Sequence, residues 1–231
     1  MKRITFALAA CFALSSCHAE KMKDNPGDSG AVRFVALGDS YTIGEGATWE
    51  TSWPYLLAKS MNEKGKKVKL VANPSRTGWT TQDLIDNELP VFDTCRADVV
   101  TLLIGVNDWV QGVSADDFKK NLVYILDHVQ AKLEDKTKIL LVTIPDFGVT
   151  PTGKFYSGGR DISAGITQFN DIIRDEAKKR NLPLVDIFPV SKDMGKDSSL
   201  VAKDGLHPSA KEYAIWETLI LPEFEEMIND K

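Results

Sequence analysis

Cysteine and histidine are scarce, with three of each in 231 residues. Three Cys cannot close a disulfide framework, and a chain of this length can bury a core without one. Three His leave few candidates for any step that needs an imidazole. Positive charge is also short. Lys plus Arg number 28 against 33 Asp plus Glu, a net charge of -5. Such a chain has no electrostatic grip on polyphosphate, which excludes a general nucleic-acid-binding role. No internal repeat is present. Hydrophobic residues at 43% and charged residues at 26% are ordinary for a globular protein. The length predicts one domain, or at most two small ones.

The apolar run Ile4 to Leu14 follows the positive pair Lys2-Arg3. It is too short to span a bilayer as a helix but suits the apolar region of a signal peptide. It ends in Leu14-Ser15-Ser16-Cys17, which resembles the lipobox of bacterial lipoproteins. That resemblance implies that residues 1–16 are removed and that Cys17 carries a lipid anchor. The chain is then expected on the bacterial cell envelope, facing the periplasm or the surface, with the outer membrane as its site in a Gram-negative cell. Cys11 also fits the pattern but leaves a very short apolar region, and an ordinary cleavage near Ala19 is the bland alternative. Residues 18–30 are polar, contain Pro26 and two Gly, and lack periodicity. Residues 17–30 therefore read as anchor and flexible tether, and residues 31–231 as the folded domain.

Five short apolar runs punctuate that domain: 32–37, 67–72, 98–104, 138–144 and 184–187. Near-continuous β-branched runs suit strands covered on both faces, as in a parallel sheet. Helical periodicity alternates with them over 53–63, 116–133, 163–180 and 209–228, and Pro222 is expected to kink or break the last. This alternation predicts a doubly wound, three-layer α/β/α sandwich with a five-stranded parallel sheet in the order 2-1-3-4-5. Ligands in such folds bind beyond the carboxyl ends of the strands.

The loops at those ends carry the polar residues of interest. Ser40, in Gly38-Asp39-Ser40, is either a helix cap or an exposed nucleophile at a strand-to-helix turn. It does not fit the G-x-S-x-G elbow, because Thr42 takes the last position. Gly78 follows the second strand, and on its own it reads as a turn. Asn107 follows the third strand and offers an amide donor; its other reading is an Asn-Asp turn. Asp108 beside it lacks the His or carboxylate neighbours of a metal site. Asp204 and His207, three apart around Gly205, could orient a base and supply it, or could simply enter a helix capped by Ser209. Among the histidines, His18 lies on the tether and His128 beside the apolar face of a helix, which leaves His207 as the candidate base.

In order, Gly38-Asp39-Ser40, Gly78, Gly105-Val106-Asn107-Asp108 and Asp204-Gly205-Leu206-His207 resemble the four signature blocks of the SGNH, or GDSL, hydrolases. The family's flavodoxin-like fold agrees with the strand and helix reading. The resemblance implies that Ser40 is the nucleophile and that His207 and Asp204 are base and acid. It implies an oxyanion hole made by the Ser40 and Gly78 N–H groups and the Asn107 side chain. It implies ester hydrolysis through an acyl-enzyme, with no metal or organic cofactor. Tyr41 stands where the family name has Leu, which bears on the acyl pocket.

The family includes short-chain esterases, lysophospholipases, thioesterases and carbohydrate deacetylases. An envelope location favours glycan or lipid esters as substrates and argues against cytosolic acyl-CoA. Trp79, Trp109, Tyr41 and Phe147 are candidates to line the substrate site, and the long Gly-rich connection 145–161 is a candidate wall. Cys95 is expected to be a buried lone thiol. Two rivals share the fold. One is a non-catalytic envelope lipoprotein that binds glycan or lipid, which has no need of the whole residue set. The other is an FMN protein, whose phosphate loop would not hold Asp39 and Glu45.

Overall fold

A computed structural model describes residues 30–229. The segments expected to be signal peptide (1–16) and Cys17 anchor, and most of the expected tether, lie outside the described residues. Five parallel strands form one sheet: β1 (Val32–Gly38), β2 (Val68–Ala72), β3 (Val99–Leu103), β4 (Ile139–Val142) and β5 (Leu184–Val185), in the order β2-β1-β3-β4-β5. Phe34 to Gly38 pair in register with Val99 to Leu103 at the sheet centre. The helices are α1 (Ser40–Ile43), α2 (Trp53–Glu63), α3 (Thr81–Asp83), α4 (Leu89–Phe92), α5 (Val106–Gln111), α6 (Ala115–Lys132), α7 (Ile162–Arg180), α8 (Phe188–Ser191) and α9 (Ala210–Asn229).

The layering follows from handedness. The crossover from β1 to β2 runs toward one edge, and every later crossover runs toward the other. Right-handed connections in opposite directions put their helices on opposite faces. Accordingly α2 packs with α9, and α6 packs with α7 and with α3 and α4. Phe224 of α9 meets Phe34 of β1 edge-on at 5.0 Å, while Phe118 and Phe169 stack at 4.3 Å between α6 and α7. With both faces covered, β3 and β4 are buried at every residue. This explains why their sequences are continuous apolar runs rather than alternating ones.

Local chemistry sets the helix ends. The Ser114 hydroxyl accepts from the Asp117 amide at the start of α6, and the Asp161 carboxylate accepts from the Ala164 amide at the start of α7. Asn181 ends α7 in the left-handed conformation at φ 53°.

Two expectations need correction. α9 runs unbroken through Pro222. Pro removes one helical N–H, but Ile220 and Phe224 on either side are fully buried and hold both halves on the sheet. The fifth strand stops at Val185, because the Ile187 amide donates to the Thr143 hydroxyl, which in turn donates to the Asp186 carboxylate. The connection 145–161 contains the 3-10 turns Phe147–Val149 and Gly153–Tyr156.

The switch in crossover direction lies between β1 and β3, where the two chains leave the sheet on opposite sides. That crevice is where open α/β sheets place their ligands.

Candidate active site

The turn from β1 into α1 is crowded. A Cβ on Gly38 would lie 2.2 Å from the Leu103 carbonyl oxygen and from Thr42 Oγ1, so only glycine fits. The Gly38 amide donates to Glu88 Oε2 at 3.0 Å. Asp39 caps α1, its Oδ1 accepting from the Tyr41 amide at 3.0 Å. Ser40 is the first helical residue, so its own N–H has no acceptor within the helix.

The loop carrying Asp204 and His207 is fastened on several sides. The Ala202 amide donates to the His207 carbonyl at 2.8 Å, and the Thr152 amide and hydroxyl donate to the Gly205 and Asp204 carbonyls. Within it, His207 Nδ1 and Asp204 Oδ2 are 2.6 Å apart, and Asp204 Oδ1 accepts from the Leu206 and His207 amides at 2.8 and 3.0 Å. Burial raises the Asp204 pKa, but the bonds from the His207 ring and these amides outweigh it, leaving the carboxyl below its ordinary value. An ionised carboxylate only accepts, so Nδ1 carries the proton and Nε2 is free to accept.

Asn107 stands at the start of α5, past the end of β3. Its Nδ2 donates to the Trp79 carbonyl at 2.9 Å, which commits one of its two amide hydrogens. Ser40, Asn107 and His207 line one pocket of about 60 Å³, together with Tyr41, Val106, Val110, Phe147, Tyr156 and Leu206.

Residues 36–215 match the model of the GDSL-like lipase/acylhydrolase family. The chain belongs to that family. A multidomain esterase of Ruminococcus flavefaciens is 31% identical over 80% of this chain and 27% of its own length, so the chain spans about a quarter of that relative. An arylesterase of Vibrio mimicus is 24% identical over 68% of this chain and 72% of its own. The crystal structure of the psychrotrophic esterase EstA from Pseudoalteromonas sp. superposes with a TM-score of 0.66 at 20% identity, covering 86% of this chain and 100% of that one. That last likeness is one of fold. The chemistry shared by the family and by these named proteins is carboxylic ester hydrolysis.

The residues expected at a GDSL acylhydrolase site separate into two groups. Tyr41 and Phe147 stand in the pocket wall with Ser40, Asn107 and His207. The Tyr41 ring meets the His207 ring edge-on at 5.8 Å. Gly78, Trp79 and Trp109 are not among the lining residues. Gly78 is exposed at φ 86°, and its N–H has no described acceptor. Trp79 is half-buried and contributes its carbonyl to Asn107. Trp109 is buried behind the wall, with Phe147 edge-on at 5.9 Å and the Arg160 guanidinium stacked 3.9 Å over its ring.

Several members of the site were not apparent beforehand. Val106 and Val110 share the pocket face of α5, four residues apart, a spacing that a helical reading of 106–111 would have exposed. Asp108 accepts from the Thr81 amide at 2.8 Å and from the Thr81 hydroxyl, tying the third block to the helix after the second. Next to Ser40 and Gly38 are two buried carboxyls, Asp39 and Glu88, with no ion-pair partner among the described residues. Burial pushes Asp39 up to about 8, against the Tyr41 amide and helped by Asp108. Burial likewise pushes Glu88 well up, against the Gly38 amide and helped by Asp39.

His128 sits on α6 with Nε2 2.8 Å from Asp93, and Cys95 is buried, its thiol donating to the Val91 carbonyl at 3.2 Å. No group of three or more His, Cys, Asp or Glu placed to hold a metal occurs among the described residues.

Proposed function

We propose that this chain is a serine ester hydrolase that works through Ser40, His207 and Asp204. The observation that carries the reading is the 2.6 Å pairing of His207 Nδ1 with Asp204 in the pocket that also holds Ser40 and Asn107. With Nδ1 protonated, Nε2 takes the Ser40 proton as Oγ attacks the ester carbonyl carbon. The carbonyl π electrons move onto oxygen. That oxyanion receives the Ser40 N–H and the uncommitted amide hydrogen of Asn107, both on the pocket wall, with the Gly78 N–H as the third donor that the family resemblance implies. The imidazolium, stabilised by Asp204, returns its proton to the departing alkoxide, and an acyl-serine remains. Water then attacks the acyl carbon, giving its proton to Nε2, and collapse releases the acid and restores Ser40. No redox partner is needed.

The location belongs to the same proposal. Met1 to Cys17 supports secretion and lipidation at Cys17, and an envelope lipoprotein would meet glycan and lipid esters. Turnover should be lost in Ser40→Ala with the circular dichroism spectrum unchanged, and a fluorophosphonate should label Ser40 alone. Full esterase activity in Ser40→Ala, or labelling at another residue, defeats the assignment. Incorporation of radiolabelled palmitate in vivo should disappear in Cys17→Ala.

A further inference from the structure

The wall of the Ser40 pocket bears on which ester it holds, given the hydrolase reading above. Pockets that bury drug-sized ligands measure roughly 300–1,000 Å³; this one measures about 60 Å³. At roughly 10–15 Å³ per water-sized occupant it admits about four to six non-hydrogen atoms. An acetyl or propionyl ester group fits that count, and a fatty acyl chain would run on beyond the pocket.

The walls are firm. Tyr41, Val106 and Phe147 are at most 5% exposed. Tyr41 is wedged between the rings of His207 and Trp216, with its carbonyl accepting from Trp53 Nε1 at 3.0 Å. Phe147 rests on Trp109. Deepening the pocket past Tyr41, Val106 and Phe147 would displace residues that belong to the core.

Outside this pocket the molecule shows two neighbouring aromatics to solvent. Phe155 is 76% exposed and Tyr156, which reaches the pocket, is 44% exposed. Their turn is not slack. A Cβ on Gly153 would lie 1.9 Å from the Phe147 carbonyl, and the Gly153 amide donates to the Thr150 hydroxyl. Arg160 donates to the Trp109 and Val110 carbonyls at 2.7 and 3.0 Å, fastening the far end to α5. Adjacent aromatic rings held in water on a fastened loop beside the Ser40 pocket form a surface for stacking. Lys154 Nζ lies 5.4 Å from the centroid of the Phe155 ring and brings N–H donors to its edge. That mixture suits the apolar face and hydroxyl edge of a sugar ring better than a lipid surface.

We propose that the site removes acetyl groups from a glycan: the small pocket takes the acyl methyl, and Phe155 with Tyr156 stack on the sugar ring that carries the ester.

Two measurements on the purified full chain test this. First, kcat/KM for p-nitrophenyl acetate should exceed that for the octanoate at least tenfold. An octanoate value equal to or above the acetate value overturns the acetyl assignment while leaving the hydrolase reading intact. No hydrolysis of either ester, with Ser40 unlabelled by fluorophosphonate, defeats both. Second, the ratio of kcat/KM for an acetylated methyl xyloside to that for ethyl acetate should fall about tenfold in the Phe155→Ala, Tyr156→Ala double variant. An unchanged ratio overturns the stacking role. A fall seen with phenyl acetate but not with the xyloside assigns the platform to aryl alcohols and overturns the glycan assignment. Both residues are solvent-exposed, so the variant should fold, and an unchanged melting temperature checks this.

Discussion

Replacing Asp204 by Asn tests the orientation of His207 with a change of one atom. In the native loop Oδ1 accepts from two amides, those of Leu206 and His207, while Oδ2 faces His207 Nδ1. The Asn side chain has one acceptor and one donor end. Its oxygen must take the Oδ1 position, since the reverse places an NH2 group against two N–H donors. The NH2 group then faces Nδ1, and the imidazole must present a lone pair there. The ring proton moves to Nε2, which can no longer accept from Ser40. In serine proteases the equivalent wrong tautomer lowers kcat about 10⁴-fold, or roughly 5 kcal/mol of barrier. The same order is expected here. KM should change little, because the pocket wall is untouched. The assay is steady-state hydrolysis of p-nitrophenyl acetate at pH 7.5, with active sites counted by fluorophosphonate burst. A loss smaller than tenfold, with the fold intact, refutes this role for Asp204.

Other consequences follow from the same structure. Asn107→Ala should lower kcat by about 10² to 10³ through loss of an oxyanion donor, measured with the same ester. Asp39 keeps its proton up to about pH 8 in the fold, whereas an unfolded Asp loses it near 4. The unfolded state therefore binds fewer protons between those values, so this contribution is complete below about pH 4 and is lost as pH rises through 8. Asp39→Asn mimics the protonated form, and urea melts should show its stability relative to the native chain rising by up to about 1.4 kcal/mol per pH unit across that window; parallel profiles would contradict the shift. Phe224→Ala empties a fully buried position against Phe34 and should cost about 3–5 kcal/mol in the same melts.

Much was legible in the sequence because local physics determined it. Continuous apolar runs require strands covered on both sides, and their alternation with amphipathic helices leaves few topologies once handedness applies. The strand order and all four long helices followed from that alone. The candidate site was legible for a related reason. Ser40, Asn107 and His207 lie in loops at strand ends or a helix entry, and scarcity of His left one plausible base. What sequence could not decide was where side chains point after those loops converge. Trp79 and Trp109 flank the proposed donors in sequence, yet Trp109 is drawn inward by Phe147 and Arg160, while Tyr156, far along the chain from both donors, reaches the pocket. Glu88 supports the Gly38 amide from fifty positions away, through a π-helical segment (Leu84–Glu88) with no sequence signal. Pro222 passed through a helix because tertiary burial on both sides outweighed one missing hydrogen bond. The covalent sequence determines which backbone each segment favours. Only packing of distant segments against one another determines which atoms share a pocket, how large it is, and which charges it buries.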